Sequence, residues 1–402
     1  MNVGPHDPET GIAASARILH VSADFPDPIA PHKTQVIRNL LDLTCDRFDH
    51  RVISINRQRL GGLGSLLPRA SAAATTFSAF EWGECAAYAA PGRGVFHRAH
   101  LLRLAETIAE RMQGAPLPDL IVGHKLTVEG IVVEHVSQLT GVPYALTIQG
   151  NTDTKIIAAR PDLVPTFRRI FHRARSVTLF APWTLKAVEA RLGKRSGPLT
   201  LMPCPTELDT PRPPRAGGNG LVSLFHLHAY REKNLAKMAE ALRISAGRGD
   251  PQALSIHGGG TEADWTAARR AAGDAPGLTF AGPLGRDEVP GRLNAATALV
   301  LPSSRESFGL AFIEALFAGL PIIYPRDMAV SGWFEDCPFA IAVDARDPTA
   351  LAEAMAFAVR EEARLKDALA QWQGSASAER FTRASIARAY CAALDAGLAP
   401  LI

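Results

Sequence analysis

The sequence of 402 residues lacks a long apolar run. No stretch reaches the ~18 apolar residues that a membrane-spanning helix needs, so no such helix is predicted. Residues 1–17 also lack the positively charged start and apolar middle of a secretory signal peptide. With 47% hydrophobic and 21% charged residues, the composition is that of a soluble globular protein, and we expect it in the cytoplasm.

Cysteine is scarce and scattered. The chain has five cysteines, and none forms a Cys-x-x-Cys pair. This spacing excludes a disulfide framework and a structural zinc site. We therefore expect reduced thiols, most of them buried.

The formal net charge of +3 is unevenly distributed. Residues 1–205 hold 23 Lys and Arg against 17 Asp and Glu, whereas the remainder holds 20 against 23. The basic runs at 168–176 and 191–195 fit either a merely solvated face or peripheral contact with an anionic membrane surface, at the inner face. Neither run is interleaved with aromatics as single-strand nucleic-acid binders tend to be, so no nucleic-acid partner is expected.

The first half of the chain alternates between strand and helix patterns. Such alternation predicts a parallel sheet covered by helices on both faces. The strands are predicted at 16–26, 50–56, 119–124, 144–150 and 176–181, and the helices at 33–48, 128–141 and 183–193. Residues 57–100, rich in Gly, Ala and Ser, are predicted to form a mobile or variable insertion.

A proline-rich and glycine-rich segment, 207–220, predicts a linker, after which the alternation restarts. The prediction is an N-terminal Rossmann-like domain over 1–206 and a C-terminal one over 221–382. Two tandem parallel-sheet domains leave a cleft where the carboxyl ends of both sets of strands face each other. This is the favoured binding position in open α/β sheets.

The segment 303–323, "SSRESFGLAFIEALFAGLPII", carries two carboxylates, Glu306 and Glu314. Helical periodicity predicts a helix from about 310 that ends before Gly319, with the serines at 303, 304 and 307 as candidate N-caps. The orphan amides at this helix start favour an anion. At ~1.5 Å per residue the two glutamates lie roughly 12 Å apart, which suits the two ends of one extended ligand.

These residues resemble glycosyltransferase family 4, the retaining, nucleotide-sugar-dependent enzymes of the GT-B fold. The family signature is Glu-x7-Glu followed by Ala-x-x-x-Gly-x-Pro. The matching positions are Glu306, Phe308, Gly309, Glu314, Ala315, Gly319 and Pro321. Weaker matches in the right order, such as "HGGG" at 257–260 and "FAGPL" at 280–284, extend the resemblance over nearly the whole chain.

The resemblance implies an α/β GT-B fold and a role for each matching residue. Glu314 would bind the ribose, Glu306 would lie beside the donor hexose, and helix-start amides would hold the diphosphate. The implied catalytic residues are Glu306, Lys233, His124 and Arg231, and the implied donor-binding residues are Glu314, Ser307, Phe308, Gly309, Leu310, Gly258, Gly259, Pro283, Leu284 and His228. The C-terminal helix, 383–402, would cross back onto the N-terminal domain.

Some positions depart from the family pattern. His228 stands where relatives have an arginine, and we expect Arg231 to compensate. The usual glycine pair after the first strand is replaced by "DPIAPHKTQ" at 27–35, so contacts to donor phosphate or acceptor are predicted from side chains instead. The predicted acceptor-side residues are Lys33, Thr34, Gln149 and Asp153.

The resemblance implies a retaining hexosyltransferase that uses a UDP- or GDP-sugar and a glycan, lipid-linked or small-molecule acceptor. It implies no cofactor, because the nucleotide sugar is a substrate. The chain has no Asp-x-Asp pair, so the metal-diphosphate site of the other main glycosyltransferase fold has no candidate ligands, and metal-independent transfer is expected. The alternatives are an epimerase or phosphorylase of the same fold and a non-catalytic nucleotide-sugar-binding protein.

Overall fold

The computed structural model describes residues 15–59, 75–91 and 96–400. They form two sheets with helices on both faces, so the predicted α/β class and the tandem of sheets are confirmed. None of the described helices combines the length and apolar character that a membrane crossing requires.

The N-terminal sheet has eight strands in the order β3-β4-β2-β1-β5-β6-β7-β8. Its strands are β1 (Ala16–Ser22), β2 (Phe48–Arg59), β3 (Thr76–Phe80), β4 (Gly83–Ala90), β5 (Leu120–Gly123), β6 (Tyr144–Ile148), β7 (Val177–Leu179) and β8 (Leu199–Leu201). The helices between them are α1 (Val36–Asp42), α2 (His97–Met112), α3 (Glu129–Thr140), α4 (Asn151–Ala159), α5 (Val164–Arg173) and α6 (Pro182–Leu192).

The central strands of this sheet are buried because helices cover both of its faces. In β1, Ile18 pairs in register with His50 of β2 and Leu120 of β5, and both Ile18 and Leu120 are fully buried. The run of buried residues through β5 and β6 fits a parallel sheet of this kind.

The prediction of an irregular insertion at 57–100 is wrong for its described part. Strand β2 continues to Arg59, and β3 and β4 form an antiparallel pair that extends the sheet beyond β2. Small residues such as Ala86 and Ala87 weakened the strand signal, but burial against the sheet favours them there. The remaining positions of that segment lie outside the described residues.

The C-terminal sheet has six strands in the order β11-β10-β9-β12-β13-β14, and all its pairs are parallel. Its strands are β9 (Leu221–Leu224), β10 (Leu254–His257), β11 (Leu278–Gly282), β12 (Ala298–Val300), β13 (Ile322–Pro325) and β14 (Ala340–Val343). The helices are α7 (Leu235–Gly247), α8 (Glu262–Ala272), α9 (Val289–Asn294), α10 (Leu310–Phe317), α11 (Pro348–Arg360), α12 (Glu362–Gln373), α13 (Ala376–Glu379) and α14 (Arg383–Leu398).

Helix α14 lies against the N-terminal sheet although it ends the chain. The Ser176 hydroxyl, just before β7, donates to the Ala393 carbonyl at 2.9 Å, and Arg47 pairs with Asp395 at 2.7 Å. The two domains also meet where the Trp183 indole donates to the Ala329 carbonyl at 3.0 Å. Helix α14 and the Trp183–Ala329 hydrogen bond therefore connect the two domains.

The segment between β8 and β9 is held by one buried lysine. Lys366 of α12 is 4% exposed, and its ammonium donates to the carbonyls of Arg215 and Ala296 and to Glu362. Glu362 in turn accepts from the Gly218 amide at 2.7 Å. The lysine thus ties the interdomain segment to the C-terminal domain.

We predict that Lys366→Met lowers the free energy of unfolding of the C-terminal domain by about 2–4 kcal/mol, because it leaves a carboxylate and two carbonyls without their donor. Urea unfolding followed by fluorescence would measure the change. The matched control is Lys237→Met, which removes an exposed ion pair to Glu240 and should change stability by less than about 1 kcal/mol. Equal effects of the two substitutions would contradict this assignment.

Candidate functional site

A cavity of about 460 Å³ lies between the two domains. We call it the Glu306 cavity. From the C-terminal domain it is lined by Lys233 and by residues 306–311 at the start of α10. From the N-terminal domain it is lined by side chains that follow the carboxyl ends of strands: Asp24, Thr34, Lys125, Gln149 and Thr152. The cavity lies at the carboxyl ends of the strands, where the alternation of strands and helices in the sequence predicts a ligand-binding cleft.

An ion pair stands in this cavity. The Lys233 ammonium lies 2.5 Å from the Glu306 carboxylate, and their side chains are 21% and 16% exposed. The Ser303 hydroxyl approaches the same carboxylate oxygen at 3.4 Å. The pair therefore presents a cation and an acid next to each other, mostly shielded from water. Electrostatic interactions with a ligand are stronger there than on an open surface.

The helix start beside the pair has unpaired amides. Gly309 precedes α10 with φ 79°, a left-handed conformation, and the serine N-caps predicted from the sequence are absent: Gly309 is the N-cap, with no side-chain hydrogen bond. A Cβ at Gly309 would lie 2.6 Å from the Phe312 ring, so glycine is required. Among the described residues, no acceptor takes the amides of Ser307, Phe308 or Gly309. This arrangement suits an anion.

Glu314 faces a second cavity of about 710 Å³, which we call the Glu314 cavity. Burial raises the pKa of Glu314, the nearby Glu207 raises it further, and Arg286 opposes both. Leu310 lines both this cavity and the Glu306 cavity. The two glutamates therefore line two cavities that meet at Leu310, along α10.

Lys125 is a site residue that the sequence analysis missed. It is 7% exposed, lines the Glu306 cavity and lies 2.6 Å from Asp24. Burial opposes its charge, but Glu129 and Asp24 outweigh burial and raise its pKa. Burial also raises the pKa of Glu129 to about 7. The signal that could have found Lys125 is its place directly after β5, at the carboxyl edge of the sheet.

His124 and Asp153 do not reach the cleft. His124 is fully buried, its Nε2 lies 3.0 Å from His20 Nδ1, and burial lowers its pKa to about 3. Asp153 is also fully buried and accepts from the Thr127 amide and hydroxyl at 2.9 and 2.7 Å. Both residues thus support the loops behind the site, whereas the sequence had placed them on its surface.

Lys33 is a second correction, because its ammonium points into the domain. It lies 2.8 Å from Asp27 and 3.0 Å from the Ser54 hydroxyl. Thr34 and Gln149, by contrast, line the Glu306 cavity from the N-terminal domain, for which acceptor contacts are predicted. The Gln149 amide donates to the His124 carbonyl at 2.9 Å, which fixes its orientation.

The compensation expected from Arg231 is not seen. Arg231 is exposed and donates to the Tyr230 hydroxyl at 2.8 Å, and it does not line the Glu306 cavity. His228 is also exposed, with its Nδ1 2.6 Å from that of His226. Lys233 is therefore the cation that the C-terminal domain contributes to the cavity.

The glycine turn after β10 has a packing role. A Cβ at Gly258 would lie 1.8 Å from the Phe225 carbonyl oxygen, and Gly259 accepts from the Leu227 amide at 2.8 Å. Neither glycine lines the two cavities, nor do Pro283 and Leu284.

Comparison with known proteins locates a family match in the C-terminal domain. Residues 211–373 match the family described as Glycosyl transferases group 1. A 2-deoxystreptamine glucosyltransferase of Streptomyces kanamyceticus is 28% identical over 210 residues, covering 46% of this chain and 53% of the relative. The chain thus spans about half the length of this curated relative.

Solved structures share the fold over nearly the whole chain. A sucrose-phosphate synthase from Thermosynechococcus elongatus aligns with a TM-score of 0.64 and 20% identity over 94% of this chain and 98% of the other. A UDP-forming α,α-trehalose-phosphate synthase from Burkholderia vietnamiensis gives 0.65 and 13% over 96% and 98%. An Anabaena protein in complex with UDP and glucose gives 0.60 and 13% over 94% and 99%. The predicted GT-B fold is confirmed.

The buried Asp27 beside Lys33 yields a pH prediction. Burial opposes its ionisation, but hydrogen bonds from Lys33, Ser54 and Asn56 outweigh burial and lower the pKa to about 2. Because the pKa of Asp27 is lower in the folded than in the unfolded state, its ionised carboxylate stabilises the fold at pH values above the unfolded-state pKa. This stability is lost as the pH falls through the folded-state pKa. We expect Asp27→Asn to cost on the order of 2 kcal/mol at pH 7 and little near pH 2.

Urea midpoints measured between pH 7 and pH 2 would check this. The exposed Asp49, which contacts Arg51 at 3.5 Å, supplies the control Asp49→Asn, with an effect below about 1 kcal/mol at every pH. A cost of Asp27→Asn that stays constant down to pH 2 would contradict the assignment.

Proposed function

We propose that the chain, whose residues 211–373 match the family described as Glycosyl transferases group 1, transfers a hexose from a UDP- or GDP-sugar to an acceptor bound on the N-terminal domain. The observation that carries the proposal is the cleft along α10, with Glu306 and Lys233 at one end and Glu314 at the other. The curated relative is named a glucosyltransferase, and the Anabaena structure holds UDP and glucose.

The proposed donor lies along α10. Its diphosphate contacts the amides of Ser307, Phe308 and Gly309, which have no acceptor within the described part of the chain. Its ribose hydroxyls donate to Glu314, whose carboxylate lines the Glu314 cavity. Its hexose lies in the Glu306 cavity, next to the Lys233–Glu306 pair. This order places the reacting carbon at the boundary between the two domains.

The proposed reaction breaks the bond between the anomeric carbon and the diphosphate oxygen. An oxygen of the acceptor hydroxyl forms the new bond on the same face, and its proton passes to the departing phosphate. Negative charge develops on the nucleoside diphosphate, and the Lys233 ammonium and the helix-start amides stabilise it. Glu306 stabilises the positive charge that develops on the hexose ring.

A non-catalytic nucleotide-sugar-binding protein is the second candidate. It is favoured by the exposed positions of His228 and Arg231, because no arginine is among the described residues that line the Glu306 cavity. Such a protein would bind nucleotide but neither hydrolyse nor transfer the donor sugar. An assay for hexose release from radiolabelled UDP-glucose and GDP-mannose separates the two candidates.

We predict that substitution of Glu306 lowers turnover, whereas substitution of Glu314 weakens nucleotide binding. Glu306→Gln should lower turnover about 100-fold or more with little change in UDP affinity, because it removes the charge that stabilises the hexose ring in the transition state, while the glutamine amide oxygen can still accept from Lys233. Glu314→Ala should weaken UDP binding about tenfold, because it removes ribose hydrogen bonds. Steady-state kinetics and calorimetry would measure both effects. The exposed Glu353→Gln is the control, and unchanged kinetics in both site variants would end the proposal.

Transfer is also proposed to need no divalent metal, because Lys233 and the helix-start amides supply the positive charge for the leaving group. We expect EDTA to leave the transfer rate unchanged. A rate abolished by EDTA and restored by added magnesium would show that this part of the proposal is wrong.

A further inference from the structure

A third cavity, of about 680 Å³, lies within the N-terminal domain between β2, β4, α2 and α4. We call it the Arg57 cavity. Its lining is rich in basic side chains, and no acidic residue among those described lines it. The basic side chains are Arg57, His97, His100, Lys125, Lys155 and Arg160.

Two of these cations have no acidic partner. Lys125 is paired with Asp24 at 2.6 Å, and Arg160 with Asp162 at 2.7 Å. Arg57 and Lys155 are exposed, and within residues 15–59, 75–91 and 96–400 no carboxylate lies within ion-pair distance of either. The cavity therefore carries an excess of positive charge that the described residues do not neutralise.

His100 adds a buried group without a partner. It is 1% exposed and lines the Arg57 cavity, and neither ring nitrogen has a hydrogen-bond partner in the described structure. Burial lowers its pKa, so the ring is neutral at pH 7 and offers one donor and one acceptor. His100 thus adds a polar but uncharged ring to the wall of the Arg57 cavity.

The Arg57 cavity also opens toward the proposed donor. Lys125 and Thr152 line both this cavity and the Glu306 cavity. The apolar side chains Leu101, Val128 and Ile156 contribute to its wall, which suits the carbon face of a ring. A ligand here can thus place a hydroxyl near Lys125 while a second group reaches Arg57 and Lys155.

We propose that the acceptor is a small anionic molecule, whose phosphate or carboxylate is bound by Arg57 and Lys155 in the Arg57 cavity. The proposal rests on the proposed transferase function and narrows its acceptor class. Guanidinium and ammonium groups together give charge-assisted hydrogen bonds to such anions. The accepting hydroxyl then lies at the junction of the two cavities, on the side of the hexose.

The test measures binding of glucose 6-phosphate, glucuronate, glucose and glucosamine by calorimetry, with and without UDP. We expect at least one of the two anions to bind about tenfold or more tightly than glucose, and its affinity to fall about tenfold or more in Arg57→Glu/Lys155→Glu. Stronger binding of glucose 6-phosphate assigns a phosphate, and stronger binding of glucuronate assigns a carboxylate.

The matched control is Arg191→Glu/Lys194→Glu, which makes the same change of charge at exposed positions of the same domain. It should leave anion binding unchanged, and UDP affinity should be unchanged in both double variants. Any of three results would overturn the inference. They are equal binding of glucose and both anions, preferred binding of glucosamine, and anion binding that persists after the charge reversal at Arg57 and Lys155.

Failure of the proposed function is visible separately. Hydrolysis of UDP-glucose or GDP-mannose by the unaltered protein, without any preference for the anions, would contradict the anionic acceptor alone. Anion binding without any donor turnover would contradict the transferase function and leave the Arg57 cavity as an anion site.

Discussion

The Lys233–Glu306 ion pair joins the two loops on which the cleft depends. Lys233 precedes α7 and Glu306 precedes α10, and the pair is reinforced by the Ser304 amide, which donates to the Glu232 carbonyl at 2.7 Å. Asn234 adds a hydrogen bond to the Pro302 carbonyl at 3.1 Å. These contacts hold the start of α10 open toward the N-terminal domain. The amides, the cation and the acid are thus organised before any ligand binds, which is the condition for electrostatic stabilisation without reorganisation.

Much of the fold could be predicted because strand and helix periods alternate clearly in the apolar positions. The helix that carries Glu314 was placed within a residue of its observed start, since Gly309 and Gly319 mark its ends. The antiparallel pair β3-β4 could not be predicted. Its alanines carry little strand propensity, and the parallel pairing of β4 with β2, a non-neighbouring segment of the chain, decides its structure.

The geometry of the candidate site was predictable where it depends on a local pattern. Glu306, Gly309 and Glu314 belong to one short segment, and its helix geometry follows from the sequence. The N-terminal wall of the cleft was not predictable, because the orientation of its side chains depends on tertiary partners. Lys33 points inward because Asp27 is buried beneath it. His124 is buried, whereas its neighbour Lys125 lines the cavity. Alternation of side chains at a strand end decides which neighbour faces the cleft, and a shift of one residue reverses it.

The central claim is that the start of α10 binds the diphosphate of a sugar nucleotide. A crystal structure of the chain with UDP tests it most directly. The account predicts phosphate oxygens within hydrogen-bond distance of the Phe308 and Gly309 amides, with the ribose hydroxyls on the Glu314 carboxylate. Nucleotide bound elsewhere, with these amides in contact only with water, would contradict it.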